Sequence, residues 1–277
     1  MACTRLVVIA RPDGGRLRVQ LAHTDTPAAK GGAAIRAEHA KQARPARPGP
    51  ARAPRGGARK LALCIGTSYA GTPHELPGCD DDAHRVAHAL RHHRGYGEVR
   101  KLLNARATKG AVKAAMRAAM AHSARYDEIC IFFSGHGLQV DERVRGSEAD
   151  GKDESILCAD GIVRDDDIRA IVTLCAPTCR LVCIFDCCTS GSIADAPTYG
   201  TPEFRRGGRA SIIVVGAARD GTSAAQVGGE GLLASYVART MGQGVSVDAI
   251  AGKRLPPSWQ TTVVSGWACA PGEELFL

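Results

Sequence analysis

The chain has 277 residues, 44% hydrophobic and 23% charged, and no apolar run approaches the ~20 residues that a membrane-spanning helix needs. This composition is ordinary for a globular protein and excludes collagen, coiled coils and small disulfide scaffolds. The formal net charge of +8 is unevenly distributed, because residues 1–59 carry +9 and residues 60–277 carry −1. The basic excess therefore belongs to the N-terminal segment and not to the body of the chain.

Residues 1–59 form a basic segment rich in Ala, Pro, Gly and Arg. From Thr26 to Arg59 there is no apolar periodicity, so we predict a disordered, prodomain-like extension. Two short apolar runs in the first 21 residues could pair as a hairpin. The charge allows a solvated linker, a tether to nucleic acid or anionic membrane, or an organelle transit peptide. Without interleaved aromatic residues, sequence-specific nucleic-acid recognition is not expected.

From Lys60 onward, short apolar runs alternate with helical patterns, which predicts one domain over residues 60–277. The predicted strands are 60–67, 99–104, 128–134, 180–186 and 211–217. The predicted helices are 80–93, 108–124 with Thr108 as N-cap, one from about 165, and 230–241. Continuous apolar strands separated by helices predict an α/β fold, with a mostly parallel sheet covered by helices on both faces.

The eleven cysteines include no C-x-x-C pair, and no apolar signal-peptide core begins the chain. Several of them lie within apolar runs, where Cys behaves as a small buried hydrophobe. We therefore predict reduced thiols and a cytoplasmic protein. Cys175, Cys179 and Cys183 are spaced by four, but no His cluster follows them, so a structural zinc site is not expected.

Two predicted strand ends carry reactive side chains. The strand 128–134 runs into S-G-H-G, which places His136 in a turn, and the strand 180–186 runs into D-C-C-T-S-G-S, which contains Cys188. If these strands are neighbours, a His and a Cys meet at the carboxyl edge of the sheet. A nearby imidazole raises the thiolate fraction of a Cys, and the glycine N–H groups could hold an oxyanion. Singly, each residue is more often structural.

Together these motifs resemble the metacaspases, a family of caspase-fold cysteine peptidases. The S-G-H-G motif is followed some 50 residues later by D-C-C-x-S-G-S, and the upstream stretch A-L-C-I-G-T-S-Y-A-G-T-P-H-E-L-P-G-C-D-D-D-A is also similar. The resemblance runs from about Leu61 to Asp195, with a weaker C-terminal echo. It implies a caspase-like three-layer α/β fold.

The resemblance implies a catalytic dyad in which His136 is the general base and Cys188 the nucleophile. Cys187 occupies a neighbouring position that the family fills with Ser or Cys. The family usually carries His directly after the nucleophile, whereas this chain has Thr189. The matching S1 positions are Asp82 and Asp186, with Cys79 and Ser134 alongside. Acidic groups in a cleft attract a guanidinium, so cleavage after Arg or Lys is expected.

Many metacaspases bind an activating calcium ion through aspartates. The matching positions are Asp153, Asp165, Asp166 and Asp195. Calcium takes six to eight oxygen ligands, and four carboxylates supply a large part of that number. Because Asp165, Asp166 and Asp167 also begin a predicted helix, a plain helix start is the alternative. No organic cofactor is expected.

The sequence therefore predicts a type I-like metacaspase, a monomeric and self-processing endopeptidase acting on protein or peptide substrates with Arg or Lys at P1. Candidate self-cleavage sites are Arg55, Arg59, Lys60, Arg205 and Arg206. The alternative is a non-catalytic caspase-like interaction module. A serine hydrolase is not expected, because no G-x-S-x-G motif is present.

Overall fold

The computed structural model describes residues 58–143, 151–197, 210–255, 260–267 and 272–277, together with two short strands near the N terminus. The strands in chain order are β1 (Leu6–Ile9), β2 (Arg18–Gln20), β3 (Lys60–Gly66), β4 (Glu98–Leu103), β5 (Glu128–Ser134), β6 (Gly137–Asp141), β7 (Lys152–Cys158), β8 (Gly161–Arg164), β9 (Arg180–Asp186), β10 (Ser211–Gly216), β11 (Ala225–Val227), β12 (Glu230–Gly231) and β13 (Val263–Trp267). The helices are α1 (Cys79–Arg94), α2 (Lys109–Ala121), α3 (Asp165–Val172), α4 (Leu232–Thr240) and α5 (Val247–Ile250).

The centre of the fold is a six-stranded sheet in the order β13-β10-β9-β5-β3-β4. The five predicted strands are its five parallel strands, and only β13 runs antiparallel, beside β10. Side chains alternate between two cores: Ala62 and Cys64 of β3 pack with α1 and α4, whereas Leu61 and Leu63 pack with α2 and α3. The predicted α/β class with helices on both faces is therefore confirmed.

The helix ends follow local sequence signals. Thr108 is the N-cap of α2, as predicted, and its hydroxyl accepts a hydrogen bond from the Ala111 N–H at 3.1 Å. Helix α1 ends at Gly95, which has a φ of 68°. Helix α4 begins two residues later than predicted, because residues 230 and 231 pair with β11 as strand β12.

A second sheet, of the antiparallel strands β6, β7 and β8, lies in chain order between β5 and β9 and was not predicted. Strand β7 begins with three charged residues, K-D-E, so a hydrophobicity pattern does not indicate a buried strand there. This sheet carries Asp153 on β7 and leads directly into α3.

The N-terminal segment contributes backbone pairing to the fold. Strands β1 and β2 pair antiparallel, as the predicted hairpin requires, and β1 also pairs in parallel with β11. The predicted disorder of residues 26–59 falls almost entirely outside the described residues. Within the described part of the chain, no helix is long and apolar enough to cross a membrane.

Lys60 corrects one expectation about self-cleavage. It is the first residue of β3 and is 7% exposed, with its Nζ atom 3.6 Å from the buried Glu128. A residue within a central strand cannot extend into a protease, so Lys60 is not a cleavage site in the folded domain. The Arg59 backbone also pairs with Asp127. Candidates Arg55, Arg205 and Arg206 lie outside the described residues.

Candidate active site

The predicted dyad residues lie at the carboxyl ends of two adjacent strands. Strands β5 and β9 pair in parallel, with Ser134 opposite Asp186, so His136 and Cys188 each follow two residues beyond the same register position. The two turns are in contact, because a Cβ built on Gly137 would lie 1.9 Å from the Cys188 carbonyl oxygen. Only glycine permits this close approach, which allows the turn that carries His136 to pack against the turn that carries Cys188.

The orientation of His136 is fixed by backbone and hydroxyl contacts. Its Nε2 atom lies 2.8 Å from the His74 carbonyl oxygen. Since a carbonyl only accepts, Nε2 carries the proton in the neutral ring and Nδ1 carries the lone pair. The His136 N–H donates to the Tyr69 hydroxyl at 3.0 Å, and that hydroxyl donates to the Leu157 carbonyl at 2.6 Å. Burial raises the pKa of Tyr69 well above its ordinary value, so the hydroxyl keeps its proton.

The adjacent cysteines occupy opposite faces of the sheet. Cys187 packs in the core formed with α2 and α3, whereas Cys188 packs on the side of α1 and α4. The Cys188 sulfur accepts a hydrogen bond from the Ala224 N–H at 3.3 Å, and the residue is 3% exposed. A donor directed at sulfur favours the thiolate. The two thiols therefore have different environments, and Cys188 has the one suited to a nucleophile.

Strained backbone marks the same edge of the sheet. Four described residues other than glycine have positive φ: Tyr69, Asn104, Thr189 and Asp195. Each follows the carboxyl end of a parallel strand. Thr189 has φ 46°, and its buried Oγ1 has no hydrogen-bond partner among the described residues. Such conformations are unfavourable for a β-branched residue and cluster at functional sites.

Three predicted S1 residues converge beneath the start of α4. The Ser134 hydroxyl donates to Asp82 at 2.9 Å. A Cβ built on Gly231 would lie 2.1 Å from an Asp186 oxygen and 2.7 Å from an Asp82 oxygen, so the two carboxylates meet at this glycine. The Gly231 N–H donates to Asp82 at 3.0 Å and the Ala234 N–H to Asp186 at 2.9 Å. Both aspartates are fully buried, with the helix N terminus over them.

The fourth S1 candidate, Cys79, lies close by. Its sulfur is 3.8 Å from the side-chain nitrogen of Gln226 on β11, and it packs with Tyr69 and Leu76. Strand β11 directly follows Ala224, the residue whose N–H reaches the Cys188 sulfur. Cys79 therefore belongs to the wall that links the acid pair to the thiol.

Arg85 on α1 was not predicted as part of this site. Its guanidinium lies 2.8 Å from Asp82 and 2.9 Å from Glu230 on β12. The ion pairs tie α1 to the segment that covers the acid pair. The i,i+3 spacing from Asp82 is visible in the sequence, but the contact with Glu230 is not.

Three of the four predicted metal ligands also come together. Carboxylate oxygens of Asp153, Asp165 and Asp166 lie within 4.8 Å of one another. Burial, followed by the charges of Asp195 and Asp153, raises the pKa of Asp165 to about 8. Asp195 therefore acts on the same cluster. All the donor atoms are carboxylate oxygens, and a divalent cation would relieve the repulsion between the carboxylates. The set of residues therefore fits calcium. Arg164 contacts Asp153 and competes with a cation there.

Sequence reasoning did not identify Tyr69, His74 or Ala224. His74 and Ala224 act through a carbonyl oxygen and an N–H, which every residue possesses, so side-chain identity gives no signal. Tyr69 stands in the quoted I-G-T-S-Y motif, but its hydroxyl reaches His136 only through the fold.

A sequence profile of the metacaspase peptidase C14 domain matches residues 60–197. Metacaspase-1 of Kluyveromyces lactis is 38% identical over 157 residues, covering 52% of this chain and 36% of the yeast protein. Metacaspase-1 of Schizosaccharomyces pombe is 35% identical over 157 residues, 52% of this chain and 37% of that protein. The matches thus span little more than a third of these curated relatives.

Solved structures establish the fold independently. Protein GSU0716 from Geobacter sulfurreducens superposes with a TM-score of 0.60 at 22% identity, covering 77% of this chain and 95% of that chain. Caspase-1 from Spodoptera frugiperda gives a TM-score of 0.51 at 11% identity, covering 78% and 87%. The caspase-like fold, the matched profile and the yeast relatives agree, and residues 60–197 of this chain therefore belong to the metacaspase family.

Proposed function

We propose that this chain is a cysteine endopeptidase that cleaves after Arg or Lys by a Cys188–His136 dyad. The observation that carries the proposal is the His136 contact with the His74 carbonyl. It assigns the proton to Nε2 and leaves Nδ1 as the base, on a turn packed against the Cys188 turn. A neutral imidazole held in one tautomer is what proton transfer from a thiol requires.

In the proposed reaction, Nδ1 of His136 takes the Cys188 proton and the thiolate attacks the scissile carbonyl carbon. The C–N bond then breaks, the imidazolium returns the proton to the leaving amine, and an acyl-enzyme remains on the sulfur. Water, deprotonated by the same imidazole, hydrolyses the thioester. We propose that backbone N–H groups of the two packed turns, which contain Gly137 and Cys188, donate to the oxyanion.

The P1 preference rests on Asp82 and Asp186. Two buried carboxylates converge on one point, and a guanidinium, that of Arg85, already binds one of them. A P1 Arg or Lys would satisfy the same chemistry, while a P1 Asp would be repelled. Because both carboxylates are covered by Gly231, the proposal requires residues 228–231 to move when substrate enters.

Calcium activation is proposed through Asp153, Asp165, Asp166 and Asp195. Calcium would neutralise the repulsion among these carboxylates. Asp195 follows the nucleophile turn by seven residues in the sequence, and Ser192 in the same turn donates to Glu154 at 2.6 Å. Ordering of the acid cluster therefore acts on the backbone that carries Cys188.

Self-processing and a monomeric state complete the proposal. Arg205 and Arg206 follow the nucleophile turn, and Arg55 precedes the folded domain. Incubation with calcium should yield fragments ending at these residues in intact-mass spectra, and the Cys188→Ala variant should yield none. Size-exclusion chromatography with light scattering tests the monomer.

The activity is tested with fluorogenic peptides ending in Arg, Lys or Asp, with and without calcium. We expect calcium-dependent cleavage after Arg and Lys only, abolished in Cys188→Ala. Cys187→Ala is the matched control, because it removes a buried thiol one residue away on the other face. Absence of cleavage by folded protein would contradict the proposal and favour the non-catalytic module, with Thr189 as the first residue to replace.

The metal proposal has its own matched pair. Asp165→Asn should abolish calcium binding in a calorimetric titration and calcium stimulation in the peptide assay. Asp167→Asn should retain both, because Asp167 lies in the same acidic triplet but pairs with Lys113 at 3.0 Å. Equal calcium binding by both variants would contradict the proposed calcium site. It would not bear on the proposed Cys188–His136 dyad.

A further inference from the structure

Helix α1 presents three histidines at intervals of one turn. His84, His88 and His92 are each four residues apart, and all three are exposed. Residues i and i+4 lie one above the other on the same helix face. No step of the proposed peptidase reaction uses these side chains.

The lower two imidazoles are already adjacent. The ring centroids of His88 and His92 lie 4.1 Å apart, with an angle of 36° between the ring planes. When two imidazole nitrogens bind one zinc ion, each nitrogen lies about 2.0–2.1 Å from the metal. An i,i+4 histidine pair on a helix places its nitrogens within reach of such an ion, with only side-chain rotation required.

The surroundings select the type of ligand. The three histidines line a cavity of about 410 Å³ between α1 and the edge strand β4, together with Arg91 and Lys101. No carboxylate lines this cavity among the described residues, so calcium and magnesium, which need oxygen ligands, do not fit it. Imidazole ligands suit zinc, copper and nickel.

The geometry points to a transition-metal site in which His88 and His92 bind one Zn²⁺, Ni²⁺ or Cu²⁺ ion, with water completing the coordination. His84 is less available, because its Nδ1 atom lies 3.0 Å from the Lys101 ammonium. The site is separate from the acid cluster: α1 packs on one face of the central sheet and α3 on the other. The positive charges of Arg91 and Lys101 weaken the binding, and they favour metals that bind imidazole strongly.

Calorimetric titration of the full-length protein with Ni²⁺ tests the site, in buffer containing excess calcium so that the acid cluster is not the binding site. All proteins compared, the wild-type reference included, carry Cys188→Ala, which prevents calcium-induced self-processing. We expect His88→Gln and His92→Gln each to weaken nickel binding at least tenfold. His93→Gln is the control: it removes an imidazole from the same helix end, but a Cβ at Gly242 would lie 3.3 Å from that ring, so it faces elsewhere. Equal nickel binding by all four proteins, or none by the wild type, overturns the inference.

Thermal unfolding supplies a second readout that does not depend on activity. A metal that binds the folded helix and not the unfolded chain raises the Tm. Saturating Ni²⁺ should raise the Tm of the wild type and of His93→Gln, and it should leave His88→Gln and His92→Gln unchanged. All three variants should keep their fold by circular dichroism, since the positions are exposed and Gln is a good helix former. An equal nickel-induced shift in His88→Gln contradicts the site.

Discussion

The guanidinium of Arg85 lies 2.8 Å from the carboxylate of Asp82, and the same guanidinium reaches Glu230 at 2.9 Å. Asp82 is fully buried, whereas the Arg85 side chain is 32% exposed. Arg85 thus pairs with a carboxylate that the proposed P1 side chain would bind. Its contact with Glu230 also holds the segment that covers Asp82 and Asp186. Substrate binding must displace this contact.

Replacing Arg85 should make the acid pair easier to reach. For Arg85→Gln we expect KM for a P1-Arg peptide to fall about 2- to 5-fold with little change in kcat, since partly exposed ion pairs contribute up to about 1 kcal/mol. Arg91→Gln, an exposed arginine on the same helix, should leave KM unchanged. Steady-state kinetics decide; an unchanged KM in Arg85→Gln, with wild type active on P1-Arg, would show that the guanidinium does not compete with substrate.

Tyr69→Phe tests the support of His136. The substitution removes the hydroxyl that accepts from the His136 N–H and donates to the Leu157 carbonyl. We expect a loss of about 1–3 kcal/mol of unfolding free energy, because buried polar groups lose their partner. Because the His136 imidazole also loses its fixed position, kcat should fall about tenfold with KM nearly constant.

The matched control for Tyr69 is Tyr126→Phe. That hydroxyl donates to Glu98 at 2.6 Å at the opposite end of the sheet, in a partly exposed pair. Urea unfolding and peptide kinetics of Tyr126→Phe should stay close to wild type. Similar effects of the two substitutions would mean that the Tyr69 hydroxyl has no particular role.

Thr189→Asn should stabilise the domain. Thr189 holds φ at 46°, a conformation that costs an ordinary L-residue about 1–2 kcal/mol and that Asn tolerates better. We expect the Tm to rise by about 2–4 °C, the scale of 1 kcal/mol in a domain of this size. Thr173→Asn, at φ −69°, should give no gain in a thermal scan. A lower Tm for Thr189→Asn would mean that packing of the threonine methyl outweighs the backbone strain.

Cys175 should react differently from the other core cysteines. A hydrogen bond from Cys179 lowers the pKa of Cys175, whereas burial raises the pKa of Cys183. A lowered pKa means that thiolate forms at lower pH, so iodoacetamide should label Cys175 before Cys183 near neutral pH. Peptide mass spectrometry of the native protein, in a Cys188→Ala background, follows the order of labelling. Cys179→Ala should slow the labelling of Cys175; an unchanged rate would contradict the role of that hydrogen bond.

Much of the central sheet was predictable from local patterns. Strands β5 and β9 have the predicted bounds because they are continuous apolar runs buried on both sides. The Thr108 cap of α2 was predictable because it depends only on the Thr108 hydroxyl and on the helical pattern that follows it, which are both local features. The three-stranded sheet β6–β8 was missed, since β6 and β8 are short and only partly buried, and β7, although mostly buried, begins with three charged residues.

The sequence by itself determined which strands form the sheet core and which motifs end them, so it located His136, Cys188 and the aspartates by chain position. Only the tertiary structure decided that β9 lies beside β5, that the His74 carbonyl sets the imidazole tautomer, and that Arg85 and α4 cover Asp82 and Asp186. The physical reason is the range of the interactions. Strand burial and helix caps arise between near neighbours, whereas these contacts join distant segments, several of them through backbone atoms that all residues share.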